Sequence, residues 1–547
     1  MNNGHENSIA IPVEIAIDGS YRHDGTPRWQ DAFETRLQRR ASRLVVDLGL
    51  PALIRIQFAW RWNLQVEPAP PFSLHIDGQA CRLDWARNDS WDAPPADLAE
   101  QVFEVMYWNR SLLVTPKIIE KLTEQYEGSL SSGFEAPSGA QLNALLDYGL
   151  RYGHSIPMCI EALRRWASAR DSNFRPDYAF EWLLAHRFPR EVIVEFGRAQ
   201  MDALTDWEGM VDALRETLFN QTGVKFPRAR AVFSEDLDDD QFRVCIGSIA
   251  GPVYRGLGTG EILVNDPPNQ LQLLNIVGKE RLNPSTGRMH SVVAEEHASL
   301  CESAGLTVWN WPKYVMLVVE SDLRRQAAVF ITMPQVEHLF KRLNDAFPMS
   351  VFNTMERFHM AQIQAVLRLL AEEGVSIRNL RDVLEALVQY EGVVAVGSVD
   401  DCVIDPLDGF ASYSPSAPDD LISHLAAHVR AALRWQLAED HLNPALMIEI
   451  GEATENRLHV SAQPPTAEDK RRLHSMLAQE LRAARRAGSG LVILTSASIR
   501  RSVYGLISTE FPRLSVVARD EFAPTIRVRT KAMIDPFAEI AGARLTQ

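Results

Sequence analysis

Apolar residues recur at helical spacing most sharply over Ala361–Tyr390. Ile363, Val366, Leu367 and Leu370 make one stripe, and Ile377, Leu380, Val383, Leu384 and Leu387 make a second. Gly374 lies between them; glycine enters the left-handed region without a Cβ clash, so it predicts the stop of the first helix. Ser376 predicts the cap of the second. The pattern specifies a helical hairpin, and an aliphatic stripe by itself specifies core packing rather than a function.

Upstream, the patterning alternates between strand and helix. Val13–Ile17, Ala52–Trp62 and Phe72–Ile76 read as strands and Phe33–Leu48 as a helix. After Pro94 and Pro95, Leu98–Trp108 is helical, Leu112–Tyr126 is a helix opened by Thr115 and Pro116, and Gly128–Gly139 is a mobile loop. Ala140–Leu163 then repeats the opening pattern: Ala140, Gln141, Leu142, Ala144, Leu145 and Leu146 align with Ala361, Gln362, Ile363, Ala365, Val366 and Leu367. Without a gap, Gly153, Ser155 and Ile156 align with Gly374, Ser376 and Ile377. Leu112–Leu122 parallels Val329–Leu339, and Phe33–Phe58 parallels Met210–Phe233. Matches this far apart specify a divergent internal duplication of a whole module rather than a solenoid.

The second copy is expected to start near Trp207, after a helical stretch with Trp166 and Trp182. Met210–Thr222 reads as a helix, Arg230–Phe233, Phe242–Ile246 and Glu261–Val264 as strands, and Ser291–Ala304 as a helix. Gly305–Trp311 reads as a strand and turn, and Tyr314–Phe330 as a helix. Beyond the hairpin come a connector, Val393–Ser416, and an amphipathic helix, Asp419–Leu437. The end reads as βαβαβ: strands Leu446–Ile450, Leu491–Thr495, Leu514–Val517 and Thr525–Val528 with helices Thr466–Arg486 and Ile499–Phe511. The fold class is therefore α/β and α+β, multidomain, with small mixed sheets and packed helices, a central helical hairpin and a C-terminal βαβαβ lobe.

Charge narrows the function. A net charge of −15 over 547 residues argues against nucleic acid and against anionic membrane surfaces. Five scattered cysteines without a CxxC pair point to a reducing compartment and to no zinc site. No window approaches the ~20 apolar residues that span a bilayer, and the N-terminus lacks signal-peptide order, so a cytoplasmic chain without a membrane span is expected.

Catalytic chemistry is not visible. His424 and His428 share a helix face, but the glutamate of HExxH and a third ligand are missing; His290 and His297 flank Glu295 and Glu296 without a recognised pattern. Glu235–Asp240 lacks the glycine and distal glutamate of a calcium loop and reads as a solvated turn. Gly256, Gly258 and Gly260 lack dinucleotide spacing. No nucleophile elbow or phosphate loop occurs, so no catalytic residue, metal or cofactor is assigned. Lys470, Arg471, Arg472, Arg482, Arg485 and Arg486 cluster on one helix, as a solvated face or a seat for an acidic partner. Trp309 and Trp311, expected to alternate on one strand near Tyr314, are core residues or, if exposed, partner-binding anchors.

The literal string from Glu372 to Leu387, EEGVSIRNLRDVLEAL, closely resembles the most distinctive cytoplasmic segment of the FHIPEP export-gate family of flagellar and virulence type III secretion. Gly260-Glu261-Ile262, Ala304–Val308, Val492–Leu494, Leu514–Val517, Asp520–Phe522 and Ile526–Val528 stand where that family has similar segments, so the resemblance runs from about Trp207 to Ile534. Gly374, Val375, Ser376, Ile377, Leu380 and Leu384 carry the family motif. The expected domains are 1–205, a diverged copy of the module; 206–345, an α+β lobe with an inserted subdomain; 346–395, the hairpin lobe; 396–440, connector and helix; and 441–547, the C-terminal α/β lobe.

The resemblance implies a non-enzymatic docking protein, cytoplasmic or peripheral at the inner-membrane export apparatus. It would bind chaperone–substrate complexes, gatekeeper or stalk proteins, and would assemble as a homo-oligomeric ring. A cytosolic adaptor or regulator of secretion chaperones, and an enzyme whose site forms only in the fold, are the alternatives.

Overall fold

The computed structural model describes residues 9–18, 27–51, 54–63, 72–81, 95–130, 139–151, 153–168, 190–391, 421–434, 445–460, 467–486, 490–508, 514–521 and 530–537, with a few single residues between. They form four separate four-stranded sheets. In the first, β1 (Ile9–Asp18) is followed by α1 (Pro27–Leu48) and a parallel neighbour, β2 (Ile54–Asn63). On its other side β1 pairs antiparallel with β3 (Phe72–Ile76), which pairs with β4 (Gln79–Ala80). Ile11, Val13, Ile15 and Ile17 are all buried, because period-2 alternation places them on the face that α1 covers with Phe33, Leu37 and Leu44. Four helices follow: α2 (Pro95–Trp108), α3 (Pro116–Leu130), α4 (Gly139–Arg151) and α5 (Ile156–Ser168).

The second sheet opens earlier than the expected boundary at 205/206. Strand β5 (Val192–Phe196) lies at its centre; α6 (Arg198–Ala203) and α7 (Trp207–Thr222) then lead to β6 (Ala229–Phe233), parallel to β5. On the other side β7 (Gln241–Ile246) and β8 (Val253–Arg255) run antiparallel in turn. Val192, Val194 and Phe196 are fully buried.

A third sheet is inserted next, ordered β10-β11-β9-β12. It comprises β9 (Glu261–Val264), β10 (Lys279–Leu282), β11 (Met289–Ala294) and β12 (Val308–Trp309), with the short α8 (Ala298–Ser303) before β12. This corrects the helix expected over Ser291–Ala304: its first residues are strand, since Ser291 and Val292 pair with Val264 and Leu263. The helix expected over Tyr314–Phe330 is likewise α9 (Trp311–Arg325) followed by a 3₁₀ turn, Ala327–Phe330.

Helices α10 (Met333–Ala346), α11 (Pro348–Arg357), α12 (Met360–Glu372) and α13 (Leu380–Val388) complete this region, and α14 (Leu421–Ala432) packs across α12 and α13. The connector expected at Val393–Ser416 lies outside the described residues.

The C-terminal sheet is wholly parallel, ordered β15-β14-β13-β16. Its strands are β13 (Ala445–Ile450), β14 (Gly490–Thr495), β15 (Ser515–Ala518) and β16 (Thr530–Ile534), and its helices are α15 (Glu452–Val460), α16 (Ala467–Arg486) and α17 (Ala497–Ile507). The strand expected at Thr525–Val528 lies outside the described residues. The first two sheets and the hairpin share one continuous core, while the inserted sheet and the C-terminal lobe each have their own. Among the described residues no helix is long and apolar enough to cross a membrane.

Candidate functional site

The motif hairpin is built as its stripes dictate. Ile363, Val366, Leu367 and Leu370 of α12 and Val383, Leu384 and Leu387 of α13 are all buried. Gly374 has φ +74 and stops α12, its N–H donating to the Ala371 carbonyl while the Val375 N–H donates to that of Leu370 at 2.8 Å. Val375, Ser376 and Ile377 are buried; Gly374 itself is exposed. Ser376 does not cap α13. That helix starts at Leu380 after Asn379, and the Ser376 hydroxyl accepts from the Arg378 N–H at 3.3 Å inside the turn. The Ile377 N–H reaches the Thr222 carbonyl at 2.9 Å, tying the hairpin to the end of α7.

Beside this turn, Glu373 enters a buried ion network that joins the hairpin to the C-terminal lobe. Its carboxylate accepts from Arg500 at 2.9 Å and from Arg501, and lies 3.3 Å from Arg430 of α14. Arg430 donates in bidentate fashion to Glu521 at 2.8 and 2.9 Å, and Glu521 also accepts from the Ala518 N–H. Burial alone would push the Glu373 carboxyl up; Arg500, Arg430 and Arg501 outweigh that and hold it down at about 2. The Tyr504 hydroxyl adds a bond to the Glu372 carbonyl. Gln436 donates to the Ser376 carbonyl at 2.9 Å.

Trp309, Trp311 and Tyr314 do not share one strand. Trp309 ends β12 and stacks on His290, with ring centroids 5.6 Å apart, whereas Trp311 is the first residue of α9 and packs against Phe196 at 5.7 Å. Tyr314 is only 5% exposed and lies under the Arg281 guanidinium. Both tryptophans are half-buried. The Trp309 stack thus lies within the inserted sheet, while Trp311 packs on the second sheet.

Exposed apolar surface lies elsewhere. On α11, Met349 is 64% exposed, Phe352 54% and Met355 42%, with Phe347 beside them. The three-residue spacing of Met349, Phe352 and Met355 along PMSVFNTMER puts them on one helix face, a signal present in the sequence. Leu273 and Val277 project from the inserted sheet's loop. His428 is half-buried against Tyr390 and His424 is exposed, and no cluster of metal-ligating side chains occurs among the described residues.

The hairpin, the inserted sheet and the C-terminal lobe up to β15 lie within the part of the chain, residues 190–527, that matches the family model FHIPEP. The chain belongs to the FHIPEP family. It is 22% identical over 317 residues to the low calcium response locus protein D of Yersinia pestis, covering 58% of this chain and 43% of that protein. It is 23% identical over 328 residues to the flagellar biosynthesis protein FlhA of Bacillus subtilis, covering 59% and 45%. It is 23% identical over 331 residues to the hypersensitivity response secretion protein HrcV of Ralstonia nicotianae, covering 58% and 43%. The chain thus spans less than half the length of these relatives. Among solved structures, the Chlamydia pneumoniae CdsV protein superposes with a TM-score of 0.51 at 18% identity, covering 63% of this chain and 97% of that one. The complex of CdsV and CdsO gives 0.50 at the same identity. These likenesses establish a shared fold for the FHIPEP portion.

Proposed function

We propose that this FHIPEP chain is a docking protein of a type III secretion apparatus, flagellar or virulence, and that it receives chaperone–substrate complexes through surface contacts rather than by catalysis. The observation that carries the reading is the FHIPEP match over 190–527, with relatives named for secretion and for flagellar biosynthesis. The solved complex of CdsV with CdsO supports a second protein partner. Exposed Met349, Phe352 and Met355 on one face of α11, with Phe347 just before it, support docking, since exposed apolar surface rimmed by polar residues marks interaction sites. The half-buried Trp309 and Trp311 and the buried Tyr314 leave little surface for a partner. Assembly of copies into a ring belongs to the same proposal.

Light scattering on the full chain, alone and mixed with loaded chaperones of the host's own secretion system, tests it. The reading expects a stable complex with a loaded chaperone, and a ring-sized mass if copies assemble. A monomer that binds no loaded chaperone overturns it and leaves the adaptor reading with a different partner.

A further inference from the structure

We propose that residues 9–168 and 192–388 are two copies of one module, and that the hairpin turn of the first copy is a built-in occupant of a seat on the second. The inference goes beyond the docking role and does not depend on it.

The two units share a topology. In each, a central strand receives a parallel neighbour through a helix, then an antiparallel third strand on its other side and a fourth beyond it, giving the orders β2-β1-β3-β4 and β6-β5-β7-β8. The helix before the parallel strand ends in each on a left-handed glycine, Gly49 (φ +70) and Gly223 (φ +76). Each glycine abuts the matching residue of its own hairpin. A Cβ on Gly49 would meet Pro157 at 2.3 Å, and one on Gly223 would meet Arg378 at 2.2 Å. Those two residues follow the aligned Ile156 and Ile377, and the aligned Gly153 and Gly374 both have positive φ. In each unit a 3₁₀ turn, Arg110–Leu113 or Ala327–Phe330, precedes the next helix by the same short step. The third sheet and α11 are then insertions into the second copy.

The copies touch like to like where Arg325 of α9 lies over the Trp108 ring of the matching helix α2, 4.0 Å from its centroid, and a second contact is one-directional. The first copy's hairpin turn sits on the β7–β8 turn of the second, where the Ser248 N–H donates to the Gly153 carbonyl at 3.3 Å. The approach is backbone to backbone: a Cβ on Gly247 would stand 2.4 Å from the Gly153 oxygen, and a Cβ on Gly153 would stand 3.1 Å from the Ile246 oxygen. Beside it, Arg43 of α1 reaches Asp236 at 3.2 Å. The reciprocal surfaces make no such contact. Gly78, at the matching turn of the first sheet, and Gly374 are exposed, with no atom within 4 Å of where a Cβ would be. A contact between unlike surfaces can run on from copy to copy. The flank of the second hairpin is held instead by Gln436 at the Ser376 carbonyl and by Arg430 and Arg500 at Glu373. The seat therefore fits one kind of partner, a glycine turn of this same module carrying a base at the position of Arg43.

Matched glycine substitutions in the full chain test this. Gly247→Ala and Gly78→Ala both place alanine at positive φ, but only the first drives a Cβ into the opposite copy. In hydrogen exchange, Gly247→Ala is expected to raise exchange over 150–156 about tenfold, while Gly78→Ala leaves that segment at the wild-type rate. Equal behaviour of the two variants overturns the proposal. If Gly247→Ala does not fold, Arg43→Glu serves: exchange over 150–156 rises a few-fold, that over 373–377 stays unchanged, and Arg43→Lys restores the wild-type rate. Wild-type exchange over 150–156 in Arg43→Glu overturns the proposal equally.

Discussion

The turns Gly153-His154-Ser155-Ile156 and Gly374-Val375-Ser376-Ile377 spell nearly the same local sequence and take the same left-handed start, yet they rest against different neighbours. The first presses on another sheet through backbone atoms, and the second is held from its flank by buried ions. Two positions at the turns differ in sequence. Where the second turn is preceded by Glu373, the first has Tyr152, and where the second has Val375 the first has His154. Local sequence sets the shape of a turn, and the residues at its shoulders decide what it joins.

The shoulder of the second turn is where the largest effect is expected. Glu373→Ala leaves Arg430 and Arg500 with Glu521 alone and takes from Arg501 the carboxylate it donates to. Removing one member of a buried ion network costs about 3–5 kcal/mol, because the remaining charges are left desolvated and uncompensated. Urea unfolding of the C-terminal lobe checks this. The same carboxylate sets an acid limit. Its folded value, about 2, lies below its unfolded value of 4.5, so its contribution is complete above pH 4.5 and is lost as pH falls toward 2. In Glu373→Gln that part of the acid transition is absent.

Next come the glycines that close each helix onto its hairpin. Gly223→Ala and Gly49→Ala each add left-handed strain of about 1–2 kcal/mol and a collision as well. Gly374→Ala adds strain alone and marks the reference. The expected order of melting temperatures is Gly374→Ala above both of the others. A Gly374→Ala variant that melts lowest would break the parallel between the units.

His154 sharpens the comparison through pH. Burial, with Arg190 and Arg368 nearby, holds its pKa well below 6.5. The unfolded chain gains a proton below pH 6.5 that the folded chain refuses, so stability falls with acidification by up to about tenfold per pH unit. His154→Val, which copies the second turn, removes that dependence between pH 7 and 5 in denaturant titrations.

Much of this architecture is legible in the sequence. The stripes of the hairpin, the stop at Gly374 and the alternation of the C-terminal lobe each depend on neighbours within a turn or a strand, which patterning reports. Val192–Phe196 was equally readable, as alternating VIVEF between Pro189 and Gly197, but it lies beside a helical stretch that drew the boundary too late. The β10–β11 pair is harder to see, because Lys279-Glu280-Arg281-Leu282 is a polar strand with its side chains largely in solvent. The ion network could not be read at all. Glu373, Arg430, Arg500, Arg501 and Glu521 lie far apart in sequence, and only the packing of the C-terminal lobe onto the hairpin makes them neighbours. The tryptophans were misplaced for a related reason: Asn310 caps a new helix by accepting from the Lys313 N–H, which ends the strand between Trp309 and Trp311.

The smallest effect on stability is expected where the effect on function is largest. Met349 and Phe352 are mostly exposed, so replacing both with aspartate changes unfolding free energy by less than about 0.5 kcal/mol each. Titration of the full chain with a loaded secretion chaperone, for wild type and for Met349→Asp/Phe352→Asp, is the most direct test of docking. The account predicts binding by the wild type and at least a tenfold loss in the variant at unchanged stability. Equal binding by both, or none by the wild type, would contradict it.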